Sequence, residues 1–385
     1  MRHVYLDHAA TTPVHPEVAG IMGTYMLEHY GNPSSIHAYG RKARQAMETA
    51  RENVARLIAA DSEEIVFTGG GTEADNYALK GTAWANRDKG NHIITSQIEH
   101  HAVLHSCEYL EEDGFEVTFL PVDADGMVSP AAVEEAMRPN TILVSVMLGN
   151  NEVGTVQPIK EIAEIVHRHG AICHTDAVQA VGNYPVDIGD LGVDLLSLSG
   201  HKFYAPKGIG ALYIKKGTRI IPIQHGGGHE RGRRAGTENI PGIVGIGKAA
   251  EIAWKELPER VAHLTALRNK LIGGLQARID HLRLNGHPER RLPGNVNVSI
   301  EYVEGESLLL NLDMKGIAAS SGSACTSGSL DPSHVLLAMG MPHDIAHGSL
   351  RMTLGRSNTV EHIDYVLDVL PEIVSRLRAM SPLVR

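Results

Sequence analysis

The sequence predicts an α/β protein built on a mostly parallel sheet, and two observations lead to this fold class. Short apolar runs typical of buried strands alternate with segments whose apolar residues recur at helical spacing. Polar clusters follow several of these runs, at the strand ends where open parallel sheets bind their ligands. The length of 385 residues is sufficient for two domains and a large core.

The predicted elements are distributed along the whole chain. Apolar residues from Ala43 to Ile58 recur at helical spacing and predict an amphipathic helix over residues 40–60. Strands are predicted at 64–67, 92–95, 117–120, 142–147, 171–174 and 193–196, with helices at 101–110 and 159–169 between them. Residues 241–281 are mainly helical and lead into a second domain, with a strand at 295–300 and a helix at 307–312.

Composition excludes several classes of function. The formal charge of -10 and the aromatic content of 4% argue against a nucleic-acid binder. Three cysteines without paired spacing argue against a disulfide framework and favour a reducing compartment. The first residues lack the apolar core of a signal peptide, and no apolar run is long enough for a bilayer. We therefore expect a cytoplasmic protein without a nucleic-acid or membrane partner.

Lys202 lies in the stretch Ser197–Tyr204, directly after the apolar run 193–196. A lysine at the end of a buried strand is desolvated, and its neutral amine can form a Schiff base with a carbonyl cofactor. On this octapeptide alone, an ordinary surface lysine is the simpler explanation. Polar clusters at two other strand ends, Gly149–Glu152 and Asp176–Gln179, favour a ligand site because packing does not explain them.

Two glycine-rich segments are candidates for anion binding. Thr68–Thr72 contains three consecutive glycines between a strand and a helix, which suits a phosphate at a helix N-terminus. A plain turn with Thr72 as the N-cap explains it equally well. The segment Gln224–Asn239 is rich in glycine and arginine and indicates a mobile loop or an anion-binding loop at a subunit interface.

Cys325 lies in the segment Ala318–Ser329, which is almost free of large apolar residues. This composition predicts an exposed thiol, and a thiol that is used acts as the thiolate. Cys107 and Cys173 lie in a predicted helix and strand and are expected in the core. Arg351 is predicted to project from a strand into a cleft and to bind a carboxylate. A salt bridge on the surface is the alternative.

Two familiar motifs are incomplete. Residues 242–249 approach a phosphate-binding loop, but Ala249 replaces the hydroxyl residue, so a packing helix is the better interpretation. His101 and His105 stand one helical turn apart beside His100, but no third ligand is evident, so a zinc site is the weaker interpretation.

A set of motifs covers nearly the whole chain in an order known from one enzyme family. They are Tyr5–Pro13, Gly31–Ser35, Thr72–Asn76, Glu99–Val103, Asn150–Pro158, His174–Ala180, Ser199–Lys202, Arg231–Asn239 and Ser323–Gly328. Each is weak alone. Together they resemble the cysteine desulfurases of the NifS/IscS type, pyridoxal-phosphate enzymes of the class V aminotransferase group.

The resemblance implies a fold and an activity. The fold is the type I fold of pyridoxal-phosphate-dependent transferases, with a large domain over residues 14–258. A smaller α+β domain would comprise residues 1–13 and 259–385 and carry the catalytic cysteine. The enzyme would be a homodimer that converts L-cysteine to L-alanine. It would pass sulfur, through a persulfide on Cys325, to an acceptor or scaffold protein for iron–sulfur cluster assembly.

The resemblance also implies how the cofactor is held. Lys202 would bond pyridoxal phosphate covalently and later move the α-proton, and His100 would stack over the ring as a further catalytic residue. Asp176 would pair with the ring nitrogen and Gln179 with the ring hydroxyl. The implied phosphate ligands are Gly71, Thr72, Ser199, Gly200 and His201, together with Thr237 of the partner subunit.

Substrate and sulfur have implied ligands as well. Asn151 would contact the cofactor ring or the substrate, and Asn32 and Arg351 would hold the substrate carboxylate. Cys325 would be the nucleophile, and it could briefly ligate an iron–sulfur cluster shared with a scaffold, because one cysteine does not hold a cluster alone.

The chain departs from the family pattern at two positions without an implied role. His8 stands where many relatives have Asn, and Ala205 stands where Gly is common. The long Ser/Gly-rich segment around Cys325 favours cysteine over selenocysteine. The alternatives are a selenocysteine lyase, another class V enzyme such as an aminotransferase, and a non-enzymatic assembly partner with the same fold.

Overall fold

The computed structural model describes residues 3–321 and 332–380. In these ranges the strands form a seven-stranded, a three-stranded and a two-stranded sheet. Their bounds are β1 (Val4–Tyr5), β2 (Ile65–Thr68), β3 (His92–Ser96), β4 (Glu116–Leu120), β5 (Thr141–Ser145), β6 (Ile172–Asp176), β7 (Leu195–Ser199), β8 (Gly210–Ile214), β9 (Leu282–Leu284), β10 (Asn295–Ile300), β11 (Ile317–Ala318) and β12 (Ser349–Thr353).

The seven-stranded sheet confirms the predicted fold class. Its strand order is β2-β8-β7-β6-β5-β3-β4. Strands β3 to β7 pair in parallel, whereas β8 is antiparallel to both β2 and β7. Sequence analysis missed β8. It returns from β7 through residues 200–209 only, and so short a connection favours an antiparallel neighbour over a helical crossover.

The helices confirm every helical segment predicted from periodicity. They are α1 (Pro16–Leu27), α2 (Ala38–Leu57), α3 (Gly71–Asn76), α4 (Thr82–Asn86), α5 (His101–Glu112), α6 (Pro130–Ala136), α7 (Ile159–Arg168), α8 (Ile188–Leu191), α9 (Ile240–Arg278), α10 (Gly305–Asp313), α11 (His334–Ala338), α12 (His343–His347) and α13 (Val360–Met380). A π-helical segment, Tyr77–Gly81, joins α3 to α4. None of the helices in the described ranges combines the length and hydropathy that a bilayer-spanning helix requires.

Helix α9 begins as a close-packing helix, as the incomplete phosphate-loop motif suggested. It contacts α2 along one side, where a Cβ on Gly247 would lie only 2.4 Å from the Cβ of Ala50. Glycine at this position therefore lets the two helices approach, and no phosphate role is needed to explain it. The first half of α9 belongs to the core of the seven-stranded sheet.

A separate core surrounds the three-stranded sheet. Val4 and Leu6 from the start of the chain pack there with the second half of α9, from Leu264 to Leu275, and with residues of β10, β12 and α13. The domain boundary predicted at 258/259 thus falls inside α9, between its contributions to the two cores. Sequence analysis predicted that the helical residues 241–281 lead into a second domain, and the division into domains stays a prediction.

The Gly/Arg-rich segment 224–239 is anchored to the body of the molecule. Arg51 donates hydrogen bonds to both carboxylate oxygens of Glu230, at 2.7 and 2.8 Å, and both side chains are buried. Arg234 donates to Glu73 at 2.8 Å, and Glu73 accepts from the backbone N–H of Gly69. The alternative of a mobile loop is therefore not supported, and the segment is tied to the glycine turn before α3.

Candidate active site

The polar clusters that follow the parallel strands meet around one cavity of about 310 Å³. Segments after β5, β6 and β7 contribute to it, as do the start of α3, the N-terminal residues Ala9 and Ala10, and β12. The predicted site residues that line it are Gly71, Thr72, His100, Asn151, Asp176, Gln179, Ser199, His201, Lys202 and Arg351. The strand-end argument thus predicted the location of the cavity correctly.

Three described residues of the predicted site do not line this cavity. Gly200 is buried in the turn after β7 and does not line it. Asn32 and Thr237 are exposed elsewhere, and the Asn32 side chain accepts a hydrogen bond from the N–H of Ser34 at 2.9 Å. Cys325 lies outside the described residues.

Lys202 is held by the N-terminal segment of the chain. It ends a short 3₁₀ turn, Gly200–Lys202, directly after β7. Its Nζ donates to the carbonyl oxygens of Ala9 and Ala10, at 2.5 and 2.9 Å, and Gln179 Nε2 donates to Ala9 at 2.9 Å. Sequence analysis assigned no role to these two alanines. The motif Tyr5–Pro13 was the available signal, but every residue type has a backbone carbonyl, so the residue type does not reveal this role.

Asp176 is buried at the end of β6. Burial raises the pKa of its carboxyl group to about 6, while a 2.8 Å bond from the N–H of Val178 and the charge of Lys202 oppose the rise. Asp75, which sequence analysis missed, also lines the cavity and is 1% exposed. Burial, reinforced by the Asp176 charge, raises the pKa of Asp75.

His100 is the N-cap of α5, where its Nδ1 accepts a hydrogen bond from the N–H of Ala102 at 3.1 Å. Because a backbone N–H can only donate, Nδ1 carries no proton, and the neutral ring has its proton on Nε2. Burial lowers the pKa of His100 to about 4, with a smaller contribution from the charge of Lys202. At neutral pH the ring is therefore an uncharged hydrogen-bond donor.

The rings of the neighbouring histidines lie close to one another. The ring of His101 lies 4.8 Å from that of His105 and 4.9 Å from that of His334, centroid to centroid. His334 Nε2 contacts the carbonyl oxygen of Glu99 at 3.0 Å. Within residues 3–321 and 332–380 no set of three potential ligands could hold a metal ion, so the zinc interpretation of His101 and His105 gains no support.

Arg351 on β12 is 3% exposed and lines the cavity. Its guanidinium donates to Asp7 Oδ1 at 3.1 Å and to the carbonyl oxygen of Asn151 at 3.2 Å. Its Nε has no hydrogen-bond partner among the described residues. Sequence analysis considered a salt bridge on the surface for Arg351. That alternative is wrong, because the Arg351 side chain that pairs with Asp7 is buried.

The turn before α3 favours glycine at two positions. Gly70 has φ +153° and is the N-cap, so Thr72 lies inside the helix and the alternative of a Thr72 cap is wrong. A Cβ on Gly71 would lie 2.7 Å from Val178 Cγ2. The groups around the cavity fit pyridoxal phosphate. They are backbone N–H groups, hydroxyls and an imidazole at one end, the Asp176 carboxylate and the Lys202 amine.

Glu99, next to His100, provides a prediction from its pKa. It is fully buried, its Oε1 accepts from Ser96 Oγ at 2.5 Å and from the N–H of Met147 at 3.0 Å, and burial raises its pKa to about 8. The folded protein therefore binds a proton between pH 4.5 and about 8 that the unfolded chain does not, so this group's contribution to stability falls as pH rises through that window.

We expect Glu99→Gln, which keeps the shape and stays neutral, to change stability little at pH 5. At pH 9 it should raise the free energy of unfolding by roughly a few kcal/mol relative to the wild type. Urea unfolding at both pH values measures this. Glu112→Gln, an exposed change on α5, is the matched control and should show no such pH dependence. An equal effect of Glu99→Gln at both pH values would contradict the expectation.

Comparison with known proteins shows which family the chain belongs to. Residues 4–366 match the family model "Aminotransferase class-V". The chain is 60% identical over 380 residues to cysteine desulfurase IscS of Methanosarcina thermophila, covering 99% of this chain and 94% of the relative. It is 55% identical over 384 residues to cysteine desulfurase IscS of Clostridium botulinum, covering 99% and 97%. The chain belongs to the class V aminotransferase family.

Comparison with solved structures narrows the assignment from the family to one type of enzyme within it. A NifS-like protein superposes with a TM-score of 0.92 at 41% identity, covering 97% of this chain and all of that one. A structure described as SspA in complex with cysteine superposes with a TM-score of 0.82 at 39% identity, covering 91% and 98%. Within its family, the chain is a pyridoxal-phosphate-dependent cysteine desulfurase of the NifS/IscS type.

Proposed function

We propose that the 310 Å³ cavity is where this desulfurase processes L-cysteine, with Lys202, Asp176 and Arg351 as its principal groups. One observation supports this most directly. These three residues come from the segment after β7, the end of β6 and β12, yet all three line the same cavity. An amine, a buried carboxylate and a buried guanidinium are the groups that bind an aldehyde cofactor and an amino acid.

The residues divide the cavity into a phosphate end and a ring end. Gly71, Thr72, Ser199 and His201 would hold the phosphate, assisted by Gly200 and by Thr237 of the partner subunit. Asp176 and Gln179 would hold the ring, and His100 and Asn151 would contact it. When bound, pyridoxal phosphate supplies a ring that stabilises negative charge at the substrate α-carbon, and the Asp176 carboxylate supports this by keeping the ring nitrogen protonated.

Two side chains can handle protons at the reacting carbon. The Lys202 amine would take the α-proton as general base, and the bonds to the carbonyls of Ala9 and Ala10 give its Nζ a defined position. The neutral His100 would donate from Nε2, because its Nδ1 is engaged at the start of α5. The two residues therefore have complementary roles.

Arg351 would bind the substrate carboxylate. Its ion pair with Asp7 and its bond to Asn151 hold the guanidinium at the cavity wall, and its Nε edge has no partner among the described residues. Asn32, which is exposed in the single chain, would contribute only if the dimer brings it near the site.

Cys325 would be the sulfur acceptor. The Cys325 Sγ–S bond would form as the Cβ–S bond of the substrate breaks, leaving a persulfide and alanine after protonation of Cβ. The described residues on either side support access: Ser320 pairs with the backbone of Arg351 at 2.7 and 3.1 Å, and Ser333 donates to the buried Glu152. Sulfur would then pass to an acceptor or scaffold protein for iron–sulfur cluster assembly, where Cys325 could transiently ligate a cluster.

A homodimer in the cytoplasm is the proposed form of the enzyme. Thr237 and Asn32 lie outside the cavity of their own chain, which supports their use by a partner subunit. Exposed apolar side chains around Asn32, such as Leu27 at 80% and Ile36 at 90%, support an interface there. Sedimentation should give twice the chain mass of 41.6 kDa.

The two separate cores support a large domain over 14–258 and a small domain from both chain ends.

Alanine release from L-cysteine in the presence of a thiol reductant tests this use of the cavity. We expect the Arg351→Lys variant to have a KM for L-cysteine that is about 10- to 100-fold higher, with a smaller change in kcat, because a charged hydrogen-bonded contact to the carboxylate is lost. Arg283→Lys, an exposed change on β9, is the matched control and should leave both constants unchanged.

Three outcomes of this assay would contradict the proposal. An unchanged KM in Arg351→Lys would remove Arg351 from the substrate site. A wild type that is silent with L-cysteine but active with L-selenocysteine would favour a selenocysteine lyase. Activity that requires a keto acid would favour an aminotransferase.

A further inference from the structure

A second cavity adjoins the cofactor cavity and shares Ala9, Gln179 and Lys202 with it. Lys202 is therefore part of the wall between the two. The remaining polar lining consists of His8, Thr12, Asn183, Tyr204, Asn295 and Thr353. Among the described residues that line this second cavity there is no Asp or Glu.

His8 lines this cavity as a buried side chain with unmet hydrogen-bonding capacity. It is 6% exposed, and neither Nδ1 nor Nε2 has a partner among residues 3–321 and 332–380. A neutral imidazole offers one donor and one acceptor, and leaving both unmet in a dry interior costs free energy. A buried polar group of this kind, next to a polar cavity, indicates bound water.

The ring of His8 is held in place by its surroundings. The His8 N–H donates to the carbonyl oxygen of Thr353 at 3.2 Å, and the next N–H, of Ala9, donates to Thr353 Oγ1 at 2.8 Å. The Tyr5 ring packs edge-to-face against it at 4.8 Å. A Cβ on Gly355 would lie 2.3 Å from His8 Cε1, so only glycine leaves room for the ring there.

The cavity has room for water. The cavity offers about 40 Å³ to the centres of water molecules, and one water requires about 10–15 Å³, so roughly three or four molecules fit. His8, Thr12, Asn183 and Lys202 line the cavity and are candidates for the two to four polar neighbours that a buried water needs.

Burial sets the protonation state of His8. Burial lowers the pKa of His8 to about 4, so the ring is uncharged at pH 7. Tyr5 and Tyr204 are the titratable groups packed against it, and burial raises the pKa of both. The neighbouring Asp7 is engaged by Arg351. On the cofactor side, the charged or titratable groups that interact with Lys202 include Asp176, His100 and His201.

We propose that this cavity holds water which His8 orients against the Lys202 nitrogen, making His8 a positioning residue for the catalytic lysine. The water solvates the protonated form of that nitrogen from the side of the second cavity. The inference rests on the proposed function in one respect, that Lys202 is the lysine bonded to the cofactor.

The test is a pH titration of the visible absorption of the holoenzyme, whose midpoint reports protonation of the Lys202 nitrogen. His8→Leu removes both polar ring atoms and should lower the midpoint by about one pH unit, a tenfold change in proton affinity. His8→Asn keeps a donor and an acceptor and should titrate close to the wild type. His105→Leu, the same side-chain change at an exposed position, is the control and should have no effect.

An unchanged midpoint in His8→Leu, or an equal shift in His8→Asn, would overturn the proposal. If His8→Leu does not retain the cofactor, diffraction from crystals of the wild-type holoenzyme decides. Ordered water within hydrogen-bond distance of a His8 nitrogen supports the water site, and a dry cavity overturns it. Failure of the proposed function would give a different result. The Lys202→Ala variant would then keep the visible absorption band, with or without a substitution at His8.

Discussion

Replacing Lys202 with alanine is expected to abolish the visible absorption of the holoenzyme that depends on a covalent bond to the cofactor. Alanine release from L-cysteine should fall on the order of 10³-fold or more, because the variant loses both the amine that bonds the cofactor and the proposed general base. The carbonyl oxygens of Ala9 and Ala10 would lose their lysine donor at the same time. Absorption spectra of the purified variant and single-substrate kinetics measure the two effects.

Lys207→Ala is the matched control for this change. Lys207 follows the same turn after β7 but is exposed, so its removal should leave the spectrum and the rate unchanged. Added free pyridoxal phosphate should not restore the Lys202→Ala variant, because the missing group belongs to the protein. A variant that keeps the wild-type spectrum would show that a different lysine carries the cofactor.

Replacing Cys325 with alanine is expected to leave the cofactor spectrum intact and to reduce alanine and sulfide release by at least about 10²-fold. The physical reason is that the cavity residues would still bind cofactor and substrate, while the thiol that accepts the sulfur atom is missing. Mass spectrometry of the wild type after one turnover without reductant should find one added sulfur atom on the peptide containing Cys325.

The other two cysteines provide internal controls for that experiment. Cys107 and Cys173 are buried, and burial raises the pKa of both thiols, so neither is a ready nucleophile. Cys107→Ala and Cys173→Ala should retain sulfur release, with at most a modest loss of stability. Full activity of Cys325→Ala would instead show that sulfur leaves without a persulfide on this residue, which would favour a lyase.

The strand-end argument predicted from sequence which segments would meet, and the reason is geometric. The carboxyl ends of parallel strands lie at one edge of a sheet, so polar residues after β5, β6 and β7 had to converge. That argument did not extend to Asp75, which lies one helical turn past the glycine turn. Nothing about a single Asp in a helix distinguishes a surface residue from one that is 1% exposed.

By itself the sequence determined the fold class, the family and the segments that form the site, because the alternating periodicity and the order of the motifs depend only on the order of residue types. Tertiary structure alone decided what surrounds each group. The contact between Lys202 and the Ala9 carbonyl joins residues 193 positions apart, and the Asp7–Arg351 pair spans 344. Local sequence carries no information on such contacts, since they depend on how two cores pack along α9. The unpartnered His8 became visible only once that packing left a cavity beside Lys202.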